Sequence, residues 1–377
     1  MTGPVLVVNA GSSSLKFAVV DQATGARRVE GLVERIGEPG SAVSDHRAAF
    51  AEVRTAVAAA GIVPGIVGHR VVHGGSFFTA PAVIDDHVIA AITDCVPLAP
   101  LHNPPALAGI LAAQKEFPDA VGVAVFDTAF HTTMPRAART YAIDQDLAAA
   151  HGLRRYGFHG TSHRFVAHRA AALMRRAIGD LDQITLHLGN GASACAVRGG
   201  RSIDTSMGVT PLEGLVMGTR SGDVDPAIPL ILWRAGLTLA EVEDALNRRA
   251  GLRGIAGVND MRQVHARADH GDDAAVLARE VYVHRIRHYV GAYLAALGGA
   301  DTIVFTAGVG EHDAWTRRQV CAGWEGLGIE VDHRANDTGS GDRVISTPGS
   351  RTTVLVVATD EEWAIADEAA RAVTDRR

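Results

Sequence analysis

The segment Asn9-Ala-Gly11-Ser12-Ser13-Ser14-Leu-Lys16 crowds an amide, three consecutive hydroxyls and a lysine around one tight turn. Apolar, β-branched runs at residues 5–8 and 15–20 flank it and read as strands. A turn that small presents several backbone N–H groups on one side, and Lys16 adds a full positive charge. The combination suits anionic oxygens such as those of a phosphate. The tip of an ordinary polar hairpin has no need of that chemistry. A P-loop is excluded, because no G-x-x-x-x-G-K-[ST] leads into a helix.

Four further segments join glycine to polar groups. His187-Leu188-Gly189-Asn190-Gly191-Ala-Ser193 follows a strand, and Thr306-Ala-Gly308-Val309-Gly310-Glu311-His312 lies between a strand and a helix start. Glycine adds no Cβ, so backbone N–H groups there can approach a phosphate or ribose closely. Met217-Gly-Thr219-Arg220-Ser-Gly222-Asp223-Val-Asp225-Pro226 sets an arginine in a glycine-flanked loop beside two acids suited to hold it by bidentate pairing. In Gly68-His-Arg70-Val-Val72-His73-Gly-Gly75, Arg70 falls inside a strand-like apolar run. A buried arginine requires an anionic partner, and a substrate carboxylate or phosphate would serve.

Asp127 ends the apolar run 121–126, where an α/β sheet presents its ligand-facing residues. His159 lies in Tyr156-Gly-Phe158-His159-Gly160-Thr-Ser-His163. Zinc ligation by His159 and His163, with His168 nearby, is disfavoured: Gly160 interrupts the helical spacing and neither H-E-x-x-H nor a cysteine pair supports it. His163 reads as a core or helix-start histidine. The absence of a G-x-S-x-G elbow disfavours a serine hydrolase.

These groups need a scaffold. Strand-like runs at 5–8, 15–20, 66–72, 121–126, 184–188, 192–197 and 302–305 alternate with helical ones at 48–60, 105–117, 161–178 and 274–297. The alternation is that of an α/β fold. The polar stretch 151–163 is the expected domain break. A strand, Asn-turn, strand unit occurs twice, with Asn9 and Asn190 181 positions apart, and Val125-Phe126 precedes Val304-Phe305 by 179. Two recurrences at nearly one offset predict a duplicated fold holding a ligand between its copies.

Composition bounds the answer further. At 377 residues the chain exceeds one ordinary core, so two domains are expected. Its 47% hydrophobic and 5% aromatic content describes a globular enzyme. A net charge of −6 argues against a nucleic-acid partner. No apolar run is long enough to span a bilayer and the N-terminus lacks signal-peptide features, so a cytoplasmic protein without membrane attachment is expected. Cys95, Cys195 and Cys321 form no C-x-x-C pair and read as reduced core thiols.

In this order the segments resemble the acetate kinase family of acyl kinases. The resemblance rests on the segments around Asn9–Lys16, Arg70–Gly75, Leu98–Pro105, Phe126–His131, Tyr156–His163, His187–Ser193, Asp204–Pro226 and Thr359-Asp-Glu-Glu362, which run from one end of the chain to the other. It implies a fold similar to the actin-like ATPase superfamily: two ribonuclease-H-like α/β domains with an interdomain cleft. Residues 1–150 and 361–377 would form the N-terminal, acyl and phosphoryl domain, with the last helix returning to it. Residues 151–360 would bind nucleotide and dimerise.

The reaction implied is reversible, Mg²⁺-dependent transfer of the ATP γ-phosphoryl to acetate, giving acetyl phosphate and ADP, with Mn²⁺ as a substitute metal. By the same resemblance Arg70 and Arg220 bind the carboxylate and the phosphoryl in flight. His159 donates to the phosphoryl oxygens, and Asn190 positions phosphate. Asn9 and Glu361 lie where the family holds the metal. Ser12, Ser14 and Lys16 line the phosphate side. Val72, Leu101, Phe158 and Pro211 fall where the family builds its acetate pocket. His187, Leu188, Gly189, Asn190, Gly191, Asp260, Met261, Arg262, Gly308, Val309, Gly310, Glu311 and His312 match the nucleotide side.

The assignment is chemically coherent. A phosphoryl transition state spreads charge over three oxygens, so catalysis is mainly positioning plus cationic and N–H donors. Acetate is already ionised near neutral pH and needs no base, so Asp127, which the family treats as catalytic, is expected to orient a metal-bound water. Asp360 and His312 stand where the family usually has Asn, and Asn259 where it usually has Ser; all three bear on nucleotide or metal. A sister kinase for propionate or butyrate is the nearest alternative, separated by only about 1–3 kcal/mol of discrimination per methylene. An actin-like ATP switch would leave Arg70 without a task.

Overall fold

The computed structural model describes residues 3–375 and divides into two compact units. The first comprises Met1–Thr132, Gly160–Ser162 and Asp360–Arg377, and the second Thr133–His159 and His163–Thr359. Residues 133–150, placed in the first domain on sequence grounds, therefore pack with the second.

The first unit is built on a six-stranded sheet in the order β3-β2-β1-β4-β6-β5. Its strands are β1 (Val5–Ala10), β2 (Ser14–Val20), β3 (Arg27–Glu34), β4 (Ile66–Val71), β5 (Ala82–Val83) and β6 (Val121–Phe126). β1 pairs antiparallel with β2 in the register Val5 to Val20 and Asn9 to Lys16, and parallel with β4. Helices cover both faces, which is why residues 5–8 are apolar without alternation. Leu6 and Val8 pack with Phe50, Val53 and Ala113 of the helices His46–Ala59 and Asn103–Glu116. Val5 and Val7 pack with Ile365, Ala366 and Ala369 of the helix Glu361–Thr374, which covers this face of the first sheet.

The second unit repeats this plan. Its sheet has the order β11-β12-β10-β7-β8-β9, from β7 (Asp182–Leu188), β8 (Ala192–Arg198), β9 (Arg201–Thr205), β10 (Thr302–Thr306), β11 (Arg343–Val344) and β12 (Thr353–Val356). Read from the opposite edge, each strand has its counterpart: an antiparallel hairpin β7–β8 for β1–β2, then parallel β10 and β12 for β4 and β6. On one face of this sheet, Val166 and Ala170 of the helix Gly160–Leu173 pack on Val304 and Leu355.

The duplicated ribonuclease-H-like fold is thus present, but one of the two offsets that suggested it was a coincidence. Asn9, next to last in β1, and Asn190, in the turn after β7, do belong to equivalent hairpins. Val125-Phe126 is on β6 and Val304-Phe305 on β10, which are not equivalent strands. The connections between strands differ in length in the two units, so no constant offset survives beyond the first hairpin.

Two other expectations need correction. The helix predicted over 161–178 ends at Leu173, where Arg175 turns left-handed (φ 54°) and Arg176 N–H bonds the Ala171 carbonyl. β3 and β9 were not foreseen, because the charged, largely exposed RRVEGLVE and the short RSIDT lack a continuous apolar run.

Candidate active site

In the first unit the β1–β2 hairpin closes over Gly11-Ser12-Ser13, with Gly11 N–H donating to the Ser14 carbonyl at 2.7 Å. Asn9 is half-buried next to the end of β1, Ser12 is exposed and Ser14 opens β2. Lys16 forms an ion pair with Glu362, which Arg27 also approaches at 3.4 Å. Burial works to raise the Glu362 pKa, but the Lys16 hydrogen bond and the charges of Lys16 and Arg27 outweigh it and hold the carboxyl below its ordinary value. Asp360 caps the last helix through Trp363 N–H and accepts from Arg27 at 2.8 Å. The Asp360 charge is therefore paired.

Arg70 sits on β4 beside Asp127, which follows β6 at the matching end of the neighbouring parallel strand. Its Nε donates to Asp127 Oδ1 at 3.0 Å and its Nη2 to Oδ2 at 2.7 Å, a bidentate fork. Glu361 Oε2, in the first turn of the last helix, lies 3.9 Å from Arg70 Nη1. Burial opposes the guanidinium charge, yet Asp127 and then Glu361 more than offset it and push the Arg70 pKa above its ordinary value. The anionic partner demanded by sequence is thus Asp127 in the protein itself, with the Nη1 edge directed toward Glu361.

The chain beyond Arg70 is braced by a residue that sequence reasoning did not single out. Fully buried Asn103 accepts from His73 N–H at 3.2 Å and donates to the His73 carbonyl at 3.0 Å. Its signal was only its place in the His-Asn-Pro-Pro stretch. Val72 is half-buried beside this brace, whereas Leu101 is 45% exposed.

In the second unit Phe158 is buried and His159 occupies the left-handed region (φ 56°, ψ 24°), an uncommon setting for a non-glycine residue that marks a functional candidate. Arg155 anchors the approach to it, donating to the carbonyls of Thr205, Ser206 and Met207 and pairing with Glu213. His159 Nδ1 lies 2.8 Å from Ser193 Oγ, and its ring stacks on His187 at 4.2 Å.

The β7–β8 turn holds Gly189, Asn190 and Gly191, with Gly189 N–H bonded to the Gly191 carbonyl. A Cβ on Gly191 would stand 3.5 Å from His159 Nε2 and 3.7 Å from Arg220 Nη1. His159, Gly191 and Arg220 therefore converge on one spot. Asn190 is held by its carbonyl to Gly218 N–H and by Oδ1 to Asn259 Nδ2 at 3.4 Å, and a Cβ on Gly218 would collide with that Oδ1. Asn259 thus supports Asn190.

Arg220 Nη1 donates to the Pro211 carbonyl at 2.8 Å, which ties two predicted site residues together. Asp223, expected to hold Arg220, instead accepts from Gly214 N–H and Tyr289 Oη, and Asp225 accepts from Ala227 N–H.

The remaining nucleotide candidates cluster by element. His187 and Leu188 end β7. Gly308, Val309, Gly310, Glu311 and His312 form the short helix Ala307–His312 after β10. Glu311 Oε1 accepts from Ala307 N–H at 2.9 Å and Thr359 N–H at 3.1 Å, holding left-handed Ala307 (φ 64°) in place. Asp260 caps the helix Met261–Asp269 and pairs with exposed Arg262, while Met261 is buried. All three cysteines are free and buried; burial pushes the Cys95 thiol up to about 11 and the Cys321 thiol to about 12.

Among the described residues no group of three or more His, Cys, Asp or Glu is placed to hold a metal by itself. No helix among them is long and apolar enough to cross a membrane.

The acetokinase family model matches residues 4–367. An acetate kinase of Clavibacter michiganensis subsp. michiganensis is 55% identical, over 96% of this chain and 97% of that protein. Among solved structures, the Porphyromonas gingivalis acetate kinase is similar with a TM-score of 0.94 and 41% identity, covering 99% of this chain and all of the other. A propionate kinase from Francisella tularensis is similar with a TM-score of 0.92 and 39% identity, over 98% of this chain and 100% of that one. With Arg70 held by Asp127, the left-handed histidine beside Arg220 and the duplicated sheets already in place, the chain belongs to the acetokinase family.

Proposed function

We propose that the chain reversibly transfers the γ-phosphoryl of ATP to acetate, giving acetyl phosphate and ADP. The observation that carries this reading is the approach of His159 Nε2 and Arg220 Nη1 to one spot over the bare Cα of Gly191. A guanidinium and an imidazole aimed at one point suit the equatorial oxygens of a phosphoryl in transfer, where fixed donors supply most of the rate. Arg70, held by Asp127, takes the acceptor carboxylate. Asp127 already accepts two hydrogen bonds from Arg70, which suits positioning, and an ionised acetate oxygen has no proton for a base to remove. Asn190 orients phosphate.

Nucleotide is assigned to residues 187–191, 260–262 and 308–312, and its phosphates to Ser12, Ser14 and Lys16. Val72, Leu101, Phe158 and Pro211 are assigned to the acyl methyl. Mg²⁺, or Mn²⁺ in its place, fits the hard oxygens of Glu361 and Asn9, since this ion keeps several waters and takes only one or two carboxylates besides the substrate phosphates. When bound it would neutralise phosphate charge. The exposed apolar series Val224, Leu230, Ile231, Trp233 and Leu239 supports a homodimer formed through the second unit. Light scattering at twice the chain mass supports that assembly, and a monomer overturns it. Buried, reduced thiols suit the cytoplasm.

The likeness to a propionate kinase keeps that acid as the second reading. Trapping acyl phosphates as hydroxamates across acetate, propionate and butyrate tests both. The highest kcat/KM is expected with acetate. A higher value with propionate moves the substrate to the second reading, and no hydroxamate from any of the three overturns phosphoryl transfer to a carboxylate.

A further inference from the structure

Three side chains behind His159 form a single file of hydrogen bonds. Ser193 Oγ on β8 lies 2.8 Å from His159 Nδ1 and 2.8 Å from His163 Nε2. His163 Nδ1 lies 2.7 Å from Thr185 Oγ1 on β7. Thr185, Ser193 and His163 are all fully buried, so no solvent supplies or removes a proton along the file.

Proton counting leaves this file two polarities. A serine hydroxyl has one hydrogen, so between two ring nitrogens it donates to one and accepts from the other; a neutral imidazole carries one N–H. In the first polarity Thr185 donates to His163 Nδ1, His163 Nε2–H donates to Ser193, and Ser193 donates to His159 Nδ1. The His159 proton is then on Nε2, the atom that faces Gly191 and Arg220. In the second every bond reverses, Nε2 of a neutral His159 is a bare lone pair, and the Thr185 hydroxyl becomes an acceptor. Among the described residues Thr185 Oγ1 makes one hydrogen bond, to His163, so the second polarity strands its buried proton without an acceptor there. Only the first satisfies every hydrogen in the file.

We propose that Ser193, His163 and Thr185 are positioning residues that set His159 as the neutral Nε2–H tautomer, an outward-facing donor beside the Arg220 guanidinium. The stack of His187 on His159 fixes the plane in which that donor points. An Nε2 lone pair at the same place would repel phosphoryl oxygens, so the direction of the buried file decides whether His159 helps or hinders transfer. The proposal deepens the phosphoryl-transfer reading and rests on it.

The test is a ¹⁵N-histidine correlation spectrum, which reports the protonated nitrogen of each ring, with His159 assigned by its loss in His159→Asn. Wild type is expected to show His159 protonated at Nε2. Ser193→Ala, which removes one hydroxyl and adds no bulk, should move His159 toward the Nδ1–H form. Turnover of acyl phosphate should fall on the order of tenfold, short of the ~10²–10³ that outright loss of an oxyanion donor costs. The KM values for acetate and ATP should stay where they were. Thr185→Val, equal in size, should act in the same direction but less, and carries the test alone where Ser193→Ala does not fold. An Nε2–H His159 that persists in both variants overturns the proposal, whatever their activity. A shifted tautomer with unchanged turnover upholds the file and overturns the role of His159 in transfer.

Discussion

Arg70 and Asp127, 57 residues apart in sequence, meet as a bidentate pair at 3.0 and 2.7 Å because β4 and β6 are adjacent parallel strands that end side by side. Asp127 is 2% exposed and Arg70 19%, so the pair is largely withdrawn from water and the buried carboxylate is matched by the guanidinium beside it. Removing one partner of a buried pair costs about 3–5 kcal/mol, while replacing both with apolar groups costs much less.

Arg70→Leu is therefore expected to fail twice. Turnover should drop at least by the ~10²–10³ of a lost transition-state donor, and urea unfolding should reveal a less stable protein. The double variant Arg70→Leu/Asp127→Val should be more stable than Arg70→Leu yet equally inactive. A double variant less stable than the single one would show that the pair is not what burial of Asp127 requires.

Glu361 faces the free edge of Arg70 from the first turn of the last helix. Glu361→Ala should move the midpoint of the Mg²⁺ titration of activity upward, with Asn9→Ala acting similarly but more weakly, because each removes one hard oxygen from the metal's reach. An unchanged midpoint in the Glu361 variant would place metal binding elsewhere.

Glu362 predicts a pH dependence of stability. Its folded pKa is depressed, so the contribution of the ionised group is present in full above the unfolded value of about 4.3 and is lost as pH falls through the lower folded value. Glu362→Gln should accordingly be less stable than wild type at pH 7 by no more than about 1 kcal/mol, since Lys16 is exposed. The two unfolding curves should converge in acid. A gap that widens toward low pH would contradict the direction of the shift.

Chain-length preference offers a fourth check. Val72 follows Arg70 by two residues and is half-buried, so Val72→Ala should open room for one more methylene. A buried CH₂ is worth about 0.8 kcal/mol, or roughly a fourfold relative gain in kcat/KM for propionate over acetate. The change should lie mainly in KM. An equal effect on both acids would place Val72 away from the acyl methyl.

Much of this protein is written locally. The runs at 121–126 and 192–197 are strands because mostly small and apolar residues suit strands covered on both faces, and both appear within one residue of expectation. The turns after β1 and β7 are legible because glycine with serine announces the first and glycine with asparagine the second. Arg70 and Asp127 announce themselves as charges in or at the end of apolar runs, and His159 and Arg220 as charge-bearing groups in glycine-containing loops.

Which residue answers each of them was settled only by folding. Arg70 meets Asp127 through strand pairing, and Asp223 turns from Arg220 to Tyr289 on a distant helix. Ser193, an unremarkable small residue after a glycine turn, becomes the link between two histidines because β8 pairs with β7 beneath the start of the helix Gly160–Leu173. The equivalence of β4 with β10, and not of β6 with β10, likewise appears only in the order of the sheets. Residue type and short spacing report what a side chain can do. Partnership depends on strand order and register, which are set by the packing of whole sheets against helices and leave no mark at short range.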